Sequence, residues 1–212
     1  MAYIGSKPAN KPVVASDLDP AVITGQTALA TSPADTDEFL ISDAGVLKRL
    51  DASLVGSAGI TVVDQWRLAA NLSISGNGTT AVTANLERVD TLTPGFIGTG
   101  MSESSGVFTF PQTGIYKITS NWSFLASADS TFLRINNEIT TDNSTYETTT
   151  EAGVSHAENG QYSTGSSAFT FDVTNTTTHK VRFRFRHNNS GSVLGSSTVS
   201  KTNFLFERLG DT

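Results

Sequence analysis

The chain has 212 residues, 16% of them charged, a formal net charge of −6 and no cysteine. That length holds one sizeable β domain with an appendage, or two small domains. The acidic balance argues against a dedicated nucleic-acid binder, which carries a basic excess, and the missing thiols exclude disulfides and thiolate metal sites. Abundant Thr, Ser, Asn and Gly suit strands and tight turns better than helices. No apolar run approaches the roughly 18 residues that a membrane-spanning helix needs. Met1 to Pro8 lacks the basic start and apolar stretch of a signal peptide, so the expectation is a protein made in a cytoplasm and not inserted in a membrane.

Residues 1–64 differ in texture from the rest. Pro8, Pro12, Pro20 and Pro33 fix φ and disfavour helix in the residues before them, which predicts an extended arm. Val13, Val14, Val22 and Ile23 are apolar anchors that point to a partner surface. Phe39–Ser42 and Val46–Leu50, around Asp43-Ala44-Gly45, predict a hairpin, and a lone hairpin is marginal in water. From residue 65 to 212 the pattern is consistently β. Trp66–Ile74 alternates and ends at Ser75-Gly76-Asn77-Gly78, a strong turn signal. Thr79–Val89 is a further candidate strand, and the glycines between 95 and 106 mark an irregular crossing.

Val107 to Phe110 and Tyr116 to Phe124 form the clearest pair of strands, joined by a corner from Pro111 to Gly114. Tyr116, Ile118, Trp122 and Phe124 share one face with period two, and Phe108 and Phe110 add two rings to the same core. Thr131–Ile135 follows, with Asn136-Asn137 read as a turn and residues 140–165 as a long polar loop. Ser167–Val173, Lys180–Arg186 and Thr202–Leu209 complete at least seven strands, so the fold class is all-β, a sandwich or barrel. In the last strand Phe204 and Phe206 face the core while Leu205 and Leu209 lie opposite. Apolar residues on both faces imply burial on both sides, by subunit contact or by the chain's own arm.

Nothing in the sequence matches a nucleophile elbow, a zincin helix or a phosphate-cradling loop. His156, His179 and His187 are scattered beside polar turns and are read as solvated. Asp35, Asp37 and Glu38 are read as an exposed turn cluster ahead of a cation site. No catalytic, cofactor or metal residue is assigned, and the chain is expected to be no enzyme. Arg182, Arg184 and Arg186 alternate with Val181, Phe183 and Phe185. This stripe is a solvated strand face, a contact for a neighbouring subunit's carboxylates, or a grip on an anionic surface polymer.

The run Gly106-Val107-Phe108-Thr109-Phe110-Pro111-Gln112-Thr113-Gly114-Ile115-Tyr116 resembles the core signature of C1q/TNF-like jelly rolls. The ending Thr202 to Gly210 resembles that fold's final strand. The resemblance spans roughly residues 65–210 and departs from the pattern at Ile118 and Ser120, where aromatics are commoner. Met1 to Pro8, Pro33 to Asp43, Gln65 to Leu68 and Asn85 to Thr91 resemble segments of tail-fibre and related virion proteins of marine bacteriophages. The resemblance implies an antiparallel jelly-roll sandwich that assembles as a homotrimer, carried by an arm (residues 1–64) held by other virion proteins. Its implied role is attachment to a glycan or protein of the host surface. A head fibre, a capsid decoration protein and a carbohydrate-binding lectin remain as alternatives, with a glycan-degrading enzyme behind them.

Overall fold

The computed structural model describes residues 27, 33–34, 36–44, 46–55, 59–91 and 95–212. Most of the proline-rich stretch, with Val13, Val14, Val22, Ile23 and Asp35, lies outside the described residues. The chain divides into two compact units between Ala58 and Gly59, a little ahead of the boundary expected after residue 64.

In the first unit β1 (Glu38–Asp43) and β2 (Val46–Asp51) form an antiparallel hairpin, in register from Glu38 opposite Asp51 to Asp43 opposite Val46. Glu38 pairs with Arg49 at 2.9 Å, and Asp43 pairs with Lys48. A short 3₁₀ turn, Ala52–Leu54, follows, and the Ala52 amide donates to the Asp37 carbonyl at 2.7 Å. Phe39 and Leu40 are exposed. A two-stranded ribbon has no second layer to cover such side chains.

The second unit holds β3 (Val63–Leu68), β4 (Leu72–Ile74), β5 (Gly78–Ala81), β6 (Leu86–Arg88), β7 (Phe96–Ile97), β8 (Ser102–Ser104), β9 (Val107–Thr109), β10 (Gly114–Ala126), β11 (Thr131–Thr140), β12 (Glu147–His156), β13 (Tyr162–Val173), β14 (Lys180–His187), β15 (Gly191–Val193) and β16 (Asn203–Gly210). Every pairing is antiparallel. Sheet I has eight strands. β10 pairs with β13 on one flank and, on the other, with β16 and then β15; β3 and β4 lie outside those two, and β6 and β7 outside β3. Sheet II has six strands, in the order β12-β11-β14-β9-β8 with β5 also on β14. The described residues contain no α-helix.

The central stretch explains the architecture. Even-numbered residues of β10 point inward, and Tyr116, Ile118, Trp122 and Phe124 are buried. β9 belongs to sheet II and β10 to sheet I, so the corner at Pro111–Gly114 carries the chain from one layer to the other. Gly114 has φ 142°, and a Cβ there would sit 2.4 Å from Arg208 Nε, so the corner requires glycine. Phe108 crosses the gap to Trp66 (5.4 Å) and Phe206 (5.0 Å) and touches Phe183 of its own sheet (5.8 Å), while Phe183 crosses to stack on Phe204 at 4.0 Å. Phe110, Phe204 and Phe206 are buried in the same cluster. Rings from both sheets thus fill one dry layer, as two packed sheets require.

Several expectations are corrected. Residues 140–165 are no loop: β12 and the start of β13 run through them. Both are edge strands whose inward positions include Ala152, Val154 and Gly165, and small residues on an edge leave little hydrophobic alternation to read. Asn136-Asn137 makes no turn and lies inside β11. Asn137 is fully buried; its side chain accepts from Ser120 Oγ (3.0 Å) and donates to Thr150 Oγ1 (2.7 Å) and Ser167 Oγ (3.0 Å). Ser120, the small polar residue on the inward face of β10, is one corner of this network. Trp66–Ile74 is two strands, because β10 changes neighbour from β16 to β15 and the flanking chain changes with it. Thr79–Val89 likewise splits into β5, on sheet II, and β6, on sheet I.

Candidate interaction surfaces

Odd-numbered residues of β10 build the outer face of sheet I. Leu205 on β16 stands opposite Thr119 and Gln65 on this face and is half-buried. Leu209, the other residue assigned to subunit contact, is 57% exposed in the single chain, and Ile115 is 37% exposed. Lys117 and Glu207 form a 3.1 Å ion pair between them. Toward the other end Leu125 stands opposite Tyr162, which is 69% exposed. A groove of about 590 Å³ opens there, lined by Leu125, Tyr162, Leu194, Ser123 and Thr164. The face is therefore mixed: apolar at both ends and polar across Asn121, Asn203 and Ser123 in the middle, where Asn121 donates to Asn203 at 3.1 Å.

The arginine stripe occupies the outer face of sheet II, since Val181, Phe183 and Phe185 point into the core. Register sets its partners across β11: Arg182 faces Glu138, Arg184 faces Asn136 and Arg186 faces Arg134. The Arg182 Nε donates to Glu138 at 2.6 Å, and its guanidinium lies 3.8 Å from the centre of the Tyr146 ring. Burial raises the Tyr146 phenol above its usual value, and the nearby Arg182 charge opposes that rise. Arg184 reaches Glu138 only at 3.5 Å. Arg134 pairs with Glu151 at 2.8 Å. The structure thus separates three residues that the sequence treats alike. Arg182 is bound within its own chain, Arg184 is half-held, and Arg186 is exposed. Glu138 went unnoticed because a turn at Asn136-Asn137 would have removed it from the strand. A carboxylate on the strand next to an arginine stripe is the signal that finds it once β11 is extended.

The histidines are corrected outright, for all three are buried. His187 Nδ1–H donates to the Gly76 carbonyl at 2.9 Å, which leaves Nε2 to accept from Thr80 Oγ1 at 2.9 Å. It ties the Ser75–Gly78 turn to β14. His179 stacks on Phe171, with the Thr174 and Thr178 hydroxyls at 3.2 and 3.1 Å from its ring nitrogens. His156 packs its ring against Phe124 at 5.4 Å. Each lies at a strand end where an imidazole fills space between the sheets, a role that polar flanking sequence conceals.

The most buried charges are structural. Asp64 accepts from Trp66 Nε1 (2.9 Å), Arg88 Nε (2.9 Å) and the Met101 amide (2.6 Å), tying β3 to β6 and to the approach to β8. Arg67, fully buried, is held by Glu87 (2.6 Å) and Asp90 (2.8 Å). With every partner present such groups fasten elements together and are not poised to react. Asp37 accepts from the Ala34 amide at 2.9 Å, and Glu38 is engaged with Arg49. Among the described residues no group of three His, Asp or Glu side chains is placed to hold a metal ion.

Neither a scan against protein-family models nor a search of curated proteins returns a match. Solved structures do match. The Eiger TNF of S. frugiperda superposes with a TM-score of 0.55 at 13% identity, over 73% of this chain and 96% of its own. Murine APRIL at pH 5.0 superposes with a TM-score of 0.52 at 17% identity, over 70% of this chain and 98% of its own. The PRD1 vertex protein P5 aligns over 72% of this chain and all of its own at 15% identity, with a TM-score of 0.41. At such identities the likeness speaks for the fold alone, and that fold, an all-β antiparallel sandwich, is the TNF-like jelly roll.

Proposed function

We propose that the chain is a non-enzymatic structural protein of a bacteriophage virion, whose jelly-roll unit is a homotrimeric head for attachment to a host surface. The observation that carries the assembly is the outer face of sheet I. It presents Ile115, Leu209 and Tyr162 to solvent in the single chain, beside half-buried Leu125 and Leu205. Large apolar side chains gathered on one face of a strand layer mark a protein contact. A neighbouring copy of the chain is the economical occupant, because closed homo-oligomers dominate among assemblies, and a threefold arrangement is the one that the jelly-roll resemblance implies. The virion setting and the tail-fibre position draw on the resemblance of the Met1–Pro8, Pro33–Asp43, Gln65–Leu68 and Asn85–Thr91 segments to those of virion proteins. Within that reading the first unit anchors the head, and its exposed Phe39 and Leu40 supply apolar contacts to other virion proteins. The non-catalytic role rests on the buried charged groups, which are consumed by partners inside the fold.

Light scattering of the full chain at micromolar concentration tests the assembly. A mass three times that of the chain is expected, and a monomer overturns it. Locating the chain in density of the whole particle tests the setting: a position on a tail fibre supports the attachment role, and one on the capsid shell replaces it with a head-fibre or decoration role.

A further inference from the structure

We propose that the outer face of sheet II binds an anionic polysaccharide through Arg184 and Arg186, with the Asn136 amide reading a neighbouring hydroxyl. Two adjacent rungs of the β11–β14 ladder carry the inference. On the first, Arg134 and Arg186 stand directly opposite each other. Like charges in that position destabilise a sheet. Arg134 has Glu151 at 2.8 Å, and Arg186 has no ion-pair partner among the described residues. An anion lying between them converts the repulsion into two charge-assisted contacts.

On the second rung Asn136 faces Arg184. Asn136 Oδ1 and Arg184 Nε are both shielded from solvent and both lack a hydrogen-bond partner. An unsatisfied acceptor beside an unsatisfied donor is costly and calls for an explanation. The Arg184 side chain is one-third exposed and its ion-pair contact is only the 3.5 Å approach to Glu138, so its displacement on binding costs little. A sugar hydroxyl then satisfies both atoms, donating to Oδ1 and accepting from Nε. A bare carboxylate, sulfate or phosphate cannot donate to Oδ1. The pair of rungs therefore fits a polymer that carries anionic groups and hydroxyls together. Duplex DNA fits less well, since its deoxyribose-phosphate backbone offers no free hydroxyl to donate to Asn136 Oδ1. Successive outward residues of a strand are about 7 Å apart, so a chain laid along β14 meets both arginines.

This deepens the attachment reading and rests on it for access, because the face lies on the side of the sandwich away from the proposed subunit contact. The test measures binding of the full chain to heparin, polygalacturonate, neutral dextran and duplex DNA at one ionic strength, with light scattering on the same samples. Binding to heparin or polygalacturonate without binding to dextran is expected. Arg186→Ala and Arg184→Ala are each expected to weaken it roughly three- to tenfold, while Lys48→Ala on the hairpin leaves it unchanged. Arg186 is exposed and unpaired, so its variant keeps the fold. The inference is overturned if neither polyanion binds, if duplex DNA binds as tightly, or if both arginine variants bind like the parent. A trimer that binds no polyanion overturns this site and leaves the head standing; a monomer that binds in the expected way does the reverse.

Discussion

Asn137 shows what a single side chain does in this fold. It sits where the sheets meet at their β12 and β13 edges, and its amide links β10, β12 and β13 to β11 through Ser120, Thr150 and Ser167. Asn137→Ala removes three hydrogen bonds at once, leaving Ser120, Thr150 and Ser167 only their bonds to one another, and is expected to cost about 2–4 kcal/mol, against about 1 kcal/mol for Ser120→Ala. Urea unfolding of the two variants checks the ratio, and equal midpoints would remove the network from the account. Asp142 illustrates a different residue-scale effect. Its carboxylate accepts the Thr145 and Ser144 amides and the Thr140 hydroxyl, each at 2.8 Å, which holds it well below the usual carboxylate range. A folded value depressed below the unfolded value of about 3.9 contributes stability above that pH and loses it as pH falls further. The Asp142 carboxyl carbon should therefore titrate with a midpoint below 3.9 by NMR, and a midpoint at or above it would contradict the turn geometry.

Strands carry the next level of argument. β16 divides its side chains sharply: Phe204 and Phe206 are fully buried, while Leu205 and Leu209 look outward. Phe206→Ala removes a ring packed 5.0 Å from Phe108 and is expected to cost roughly 3–5 kcal/mol, read from denaturant midpoints. Leu205→Asp should leave the subunit folded and lower the scattering mass. The reverse pattern, with Leu205→Asp unfolding the subunit and Phe206→Ala neutral, would invert the facing of the strand. β13 depends on a gap: a Cβ at Gly165 would lie 2.2 Å from the Trp122 ring. Gly165→Ala is accordingly expected to destabilise by about 1–3 kcal/mol through overpacking, measurable in the same assay.

At the scale of the molecule the two units differ in how far each can bury its own side chains. The jelly roll encloses a continuous cluster from Val62 to Phe206. The hairpin leaves Phe39 and Leu40 open. Amide protection follows local burial and cooperativity, so the β1 and β2 amides of the isolated protein should exchange far faster than those of β10. In the assembled particle they should slow if the hairpin is an anchor. Hairpin amides as slow as those of β10 in the isolated protein would show that it needs no partner.

The sequence by itself determined the strands whose two faces differ in kind. β10 and β14 alternate large apolar and polar residues, β16 sets aromatic rings against leucines on its two faces, and period two survives whatever surrounds it. The hairpin was legible for the same reason, helped by its turn residues, and the arginine stripe because it shares β14 with a buried aromatic face. Only the tertiary structure decided where polar residues went. β12 and the first residues of β13 read as loop because an edge strand needs neither a large apolar face nor two neighbours. Asn137 and the three histidines read as turn or surface because a polar side chain is stable in the interior only when partners complete its hydrogen bonds or close-packed rings enclose it, and for Asn137 and His187 those partners lie far off in sequence. The separation of Arg182 from Arg186 has the same origin: Glu138 reaches one and not the other through the register of two strands more than forty residues apart, as the 44-residue separation of the Arg182–Glu138 bond shows.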